Sequence, residues 1–120
     1  METTSVDRQA GSASVDIEMI SRVVDNALAL QLDTSTRVDI ELRAKDVRDA
    51  LRMLVTKELG ADEDSTVRGL FRRAYEVLDR QTVPRSGSPV FAVFAHMRET
   101  AAITRRLLWV WEERDRQGDR

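Results

Sequence analysis

The chain contains no cysteine. Disulfides, thiolate nucleophiles, cysteine-ligated zinc, iron–sulfur clusters and thiol redox sensing are excluded with it. Histidine is nearly as scarce, with His96 the only one in 120 residues. A histidine-based metal site within one subunit would therefore need carboxylate partners. Aromatics make up 5%, with 5 glycines and 2 prolines, which is poor material for a turn-rich sandwich or barrel. No apolar run approaches the roughly 20 residues of a membrane span. The opening "METTSVDRQAGSASVD" has no basic stretch followed by an apolar one, so it does not read as a secretory signal. A cytoplasmic chain without membrane contact is the expectation.

What remains is 42% hydrophobic and 33% charged, with both signs mixed. That balance suits a helical protein with salt-bridged faces. The net charge of −2 supplies no overall positive field, which disfavours non-specific nucleic-acid binding and leaves only a local basic patch for it. Lysine contributes little to that balance, since 19 cations include only Lys45 and Lys57.

Residues 1–14 are small, polar and aperiodic, as in a disordered tail. Ser14 then offers an N-cap, and Ile17, Ile20, Val24, Ala27 and Leu28 recur at helical spacing over 15–31. Thr36 opens a second helix, 37–59, with Gly60 as its C-cap. Its beginning is ambiguous: Val38, Ile40 and Leu42 alternate as in a strand, while Ile40, Ala44, Val47, Leu51 and Leu54 form a helical stripe. A single long helix accounts for more of these residues. Val67, Leu70, Phe71, Ala74, Val77 and Leu78 mark a third helix, 65–81, in which Gly69 suggests a close helix approach. After "TVPRSGSP", Ser88 as N-cap and Pro89 at the first helical position start a fourth helix, 89–116. Four amphipathic helices with short connections predict an all-α, antiparallel four-helix bundle over 15–116.

Candidate sites for chemistry are few. His96 has Glu99 one turn on, a spacing that could ligate a metal. The other stripes are aliphatic, so a histidine at the edge of the core, capped by solvent or Glu99, fits better. The acidic turn "DEDST" resembles a calcium loop, but its sixth and twelfth positions from Asp62 are Val67 and Arg73 rather than Gly and Glu. Helix capping by Asp64 or Ser65 explains it. "PRSGSPV" puts Arg85 and backbone N–H groups at a helix start without any phosphate-binding motif. Glu112–Glu113 and Asp46/Asp49 belong to charged faces, and no G-x-S-x-G elbow exists. No catalytic, cofactor or metal residue is expected. Arg68, Arg72 and Arg73, with Arg105 and Arg106, share their surfaces with Glu76, Asp79, Glu112 and Glu113 as an ion-paired face.

The stretch "LLWVWEERD" carries two tryptophans that point about 200° apart on a helix. Trp111 falls with Val90, Val93, Met97, Thr104, Leu107 and Leu108 and is the core tryptophan. Trp109 falls with Phe91, Arg98, Ala102 and Arg105. Its ring either lies over an arginine stem or a neighbouring helix, or anchors a partner or second subunit. Trp109, Phe91, Arg98 and Arg105 are the candidate partner interface.

Two resemblances accompany this reading. "RVDIEL", "KDVRDALRMLVTKELG" and "DSTVRGLFRRAYEVL" in succession resemble a ribbon-helix-helix regulator over 37–78. That resemblance implies a dimeric DNA-binding protein with Arg37, Asp39, Glu41 and Arg43 as the outward strand residues, two of them acidic where phosphates would lie. "LRMLVTKEL", "AYEVLD", a Pro/Gly connection and "FAHMRETAAITRRLLWVWE" together resemble, over 15–112, a family of small helical actinobacterial proteins labelled natural product biosynthesis. It implies a genomic context and an all-helical fold, and carries over no functional residue. The function expected from the residues is a non-catalytic one exerted through protein contacts, accessory or regulatory, with a protein partner or a homodimer.

Overall fold

The computed structural model describes residues 16–57 and 64–118. The expected tail 1–14, the cap at Ser14 and the C-cap at Gly60 lie outside them. Four helices follow one another: α1 (Ile17–Ala29), α2 (Arg37–Val55), α3 (Ser65–Leu78) and α4 (Val90–Gly118). The described residues contain no strand.

Each start has a local chemical cause. The Asp16 carboxylate accepts from the Met19 N–H at 3.0 Å and begins α1 two residues later than the periodicity suggested. Thr36 caps α2 as expected, its hydroxyl accepting from the Asp39 N–H at 3.1 Å. Asp64 caps α3 with one oxygen shared between the N–H groups of Thr66 and Val67. The fourth start departs from expectation. The Ser88 hydroxyl accepts from the Arg85 N–H at 2.9 Å and closes the preceding turn. The carbonyl of Pro89 instead receives the first helical bonds, from Ala92 at 3.0 Å and Val93 at 3.3 Å. Pro89 therefore stands one place outside α4.

Three ends are shorter than the apolar pattern. Helix α2 stops at Val55, where Thr56 caps it and its hydroxyl donates to the Met53 carbonyl at 2.7 Å. Helix α3 stops at Leu78 rather than 81, because the Asp79 carboxylate accepts from the Gln81 N–H and folds the chain into a turn. Helix α1 ends at Ala29. The segment 37–43 is fully helical, so the strand on which the ribbon-helix-helix resemblance depends is replaced by the first turns of α2. Arg37 pairs with Glu41 at 2.8 Å one turn on, a contact that only helical spacing provides.

Contacts between helices define the arrangement. Arg98 reaches the Leu28 carbonyl at 3.2 Å, and Arg105 pairs with Asp25, so α1 runs antiparallel to α4. His96 meets the Val77 carbonyl and Arg73 pairs with Glu99, so α3 is antiparallel to α4 as well. Arg37 donates to the Ser86 carbonyl at 3.0 Å and brings the starts of α2 and α4 to one end. The result is an up-down-up-down bundle. Helices α2 and α4 form the most extensive pair, α1 packs on both, and α3 packs on α4 and only lightly on α2. Helices α1 and α3 do not touch.

The core is the sum of the four stripes. Ile20, Val24 and Ala27 meet Ile40, Ala44, Val47, Ala50, Leu51 and Leu54, with Val67, Ala74 and Val77 from α3. Helix α4 adds Val93, Met97, Ala101, Ile103, Leu107 and Leu108. Trp111, expected as a core residue, is only partly buried at the edge of this cluster. Two threonines, Thr100 and Thr104, are fully buried on α4, each hydroxyl donating 2.7 Å to the carbonyl one turn back. Their polarity is satisfied within the helix, so they pack as small β-branched residues.

Gly69 marks no close approach. A β-carbon built there meets nothing within 4 Å. The glycine only loosens α3, and Gly69→Ala should stabilise the protein by about 0.5–1 kcal/mol in urea unfolding. Leu107 is wholly buried. Leu107→Ala should cost about 2–5 kcal/mol in the same measurement.

Candidate functional site

Among the described residues His96 is the one buried ionisable side chain, at 8% exposure. Its Nε2 lies 2.8 Å from the Val77 carbonyl in the last turn of α3. A carbonyl only accepts, so Nε2 carries the hydrogen and Nδ1 is the bare nitrogen. That carbonyl is one of those a helix end leaves without an internal partner. His96 thus closes α3 from outside, in place of the solvent or Glu99 expected from the sequence. Glu99 is turned to Arg73, which also holds Glu76. His96 Nδ1 is buried without a hydrogen-bond partner. Burial holds the imidazole pKa below its ordinary 6.5; the Val77 hydrogen bond opposes this and Arg48 of α2 reinforces it.

The four candidate interface residues share one azimuth of α4 and differ in what each contacts. Arg98 and Arg105 are committed within the chain, fastening α4 to the Leu28 carbonyl and the Asp25 carboxylate of α1. The Arg98 guanidinium also lies 5.7 Å from the Phe94 ring centroid. Phe91 and Trp109 are both 61% exposed. They are 18 positions apart on one helix, about 27 Å along its axis. The Trp109 ring lies over no guanidinium among the described residues. Neither a cation–π contact nor a neighbouring helix covers it.

The last turns of α4 combine three features. Leu107 and Leu108 point inward, Val110 and Trp111 rest on the core edge, and Trp109 projects outward. On the outward side Arg105 and Arg106 precede the ring, and Glu112 and Glu113 follow it. Arg105 is paired with Asp25 and Glu113 with Arg116 at 2.6 Å. Arg106 and Glu112 are exposed and have no ion-pair or hydrogen-bond partner among the described residues. An open groove of about 580 Å³ beside this face is lined by Ile17, Glu18, Ser21, Arg22 and Glu112 among others.

No family model, curated protein or solved structure matches the chain. The site has to be read from its own chemistry. Among the described residues no group of three or more histidines and carboxylates gathers where a metal could sit. Nor is any helix long and apolar enough to cross a membrane. Asp49 is shared by Lys45 and Arg52, and Asp46 faces Arg43, so this carboxylate pair is neutralised along the outer face of α2. The basic cluster of α3 is only partly ion-paired: Arg73 has carboxylates, whereas Arg68 and Arg72 have none. A second shallow groove of about 580 Å³ is lined by Leu78, Asp79, Arg80, Gln81 and Arg85 at the turn after α3. The sequence reading missed the exposure of Val38 and Leu42, at 64% and 54%. Treating 37–43 consistently as helix would have placed them opposite Ile40.

The buried imidazole sets a sign for the pH dependence. With its pKa held below 6.5, folded His96 stays neutral where the unfolded chain already binds a proton. The stability it permits is complete above that value and is lost as pH falls, at up to about 1.4 kcal/mol per pH unit. Urea unfolding between pH 7.5 and about 5 should show this decline, and His96→Gln should flatten it.

Proposed function

We propose that this protein is a non-catalytic helical module that works through protein–protein contacts, with the outward side of the last turns of α4 as its contact surface. The observation that supports this is Trp109. Its large aromatic side chain is left 61% exposed, with no ring or cation laid on it among the described residues, and so offers apolar area that a partner could bury. Tryptophan flanked by arginine is also the side-chain chemistry that contributes most per residue when two proteins associate. The helix beneath is rigid and anchored by Leu107 and Leu108, so little order is lost on binding. The role is accessory or regulatory, in the biosynthetic setting that the whole-chain resemblance implies.

Paired tryptophan variants test this reading. Trp109→Ala should weaken association while leaving the unfolding temperature nearly unchanged. Trp111→Ala should destabilise by about 2–3 kcal/mol, below the range of about 3–5 for a fully buried aromatic. Equal loss of thermal stability in the two variants would place Trp109 in the fold and remove the contact surface.

A further inference from the structure

The charges around Trp109 are arranged as their own complement. Arg105 and Arg106 stand four and three residues before the ring, and Glu112 and Glu113 stand three and four after it. On a helix these offsets bring all five side chains to one face. Arg106 and Glu112 are about 9 Å apart along the axis, too far to pair with each other. Neither has any other partner among the described residues. A surface whose positive half and negative half are related by reversal about one residue is matched by a copy of itself turned end for end.

We propose that the partner is a second copy of this chain, its α4 crossing the first antiparallel about a two-fold axis at Trp109. This rests on the contact-surface reading given above and names the occupant of that surface. The axis brings the two indole rings together and sets the arginine pair of each copy against the glutamate pair of the other. Such an isologous contact counts every favourable pair twice, because residue i meets j and j meets i. A parallel pairing would put arginine on arginine and glutamate on glutamate, so the charge order selects the antiparallel one. Glu112 lines the open groove along α1 and is accessible to an incoming guanidinium. The two intrachain pairs at the flanks, Arg105–Asp25 and Glu113–Arg116, are exposed and can be shared without burying an unpaired charge.

Sedimentation equilibrium on the full chain tests the arrangement. Wild type should show a monomer–dimer equilibrium that weakens as salt is raised. Trp109→Ala, Arg106→Glu and Glu112→Arg should each weaken it by at least about tenfold, with far-UV circular dichroism unchanged and thermal unfolding unchanged at concentrations where wild type is monomeric. Mixing the Arg106→Glu and Glu112→Arg proteins should restore a dimer, since one copy then presents only glutamate and the other only arginine at these positions. A wild type that stays monomeric at sub-millimolar concentration, or single-charge variants whose mixture gains nothing, would overturn the two-fold pairing. Retention of a host protein by immobilised wild type but not by Trp109→Ala, with a monomeric wild type, would overturn the self-pairing and leave the contact surface standing. If Trp109→Ala altered neither self-association nor retention, both would fall.

Discussion

The apolar stripe of α4 is the one surface that every other helix of the bundle needs. Helices α1, α2 and α3 all pack on it, and α1 and α3 have no contact with each other. Met97, Ala101, Thr104 and Leu107 are wholly buried along it. Each helix owes its stability to packing on this shared surface more than to its own propensity. The buried alanines at 27, 44, 50, 74 and 101 serve the same end by letting the backbones approach.

Polar groups are admitted to this core on strict terms. Thr100 and Thr104 return their hydroxyl hydrogens to their own helix, so they ask nothing of a neighbour. His96 does the reverse and donates to another helix, closing the end of α3. Its bare Nδ1 tolerates an apolar setting only as long as no proton is added. Around the outside, the ion pairs of the described residues fall mostly within single helices, as Arg37–Glu41, Lys45–Asp49 and Arg73–Glu76 show. Contacts of that kind contribute little each and do not set the fold.

The helices were legible wherever a cap and a stripe agreed, as at Thr36 with Ile40 and at Asp64 with Val67. The ends were less so, because apolar periodicity runs on until a competing hydrogen bond stops it, and Asp79 provides that stop with a local turn. Ser88 and Pro89 misled for a related reason: the serine hydroxyl had a closer donor at Arg85 than any N–H of α4. The partner of His96 was beyond reach, since Val77 is a backbone carbonyl 19 residues away and leaves no trace in side-chain pattern. At the candidate surface the opposed faces of Trp109 and Trp111 followed from the helical period alone. Phe91 shares the azimuth of Trp109 and stands 18 positions before it, outside the last turns of α4.

The lack of contact between α1 and α3 gives the molecule two separately addressable flanks. Helix α1 is fastened to α4 by guanidinium contacts, Arg98 to a carbonyl and Arg105 to a carboxylate. Helix α3 is fastened by an imidazole, assisted by the Arg73–Glu99 pair. Ionic strength acts on the ion pairs of both fastenings, and acidity on the imidazole of the second. Acid that protonates His96 thus bears on the α3 flank of the central helix pair rather than on the α1 flank.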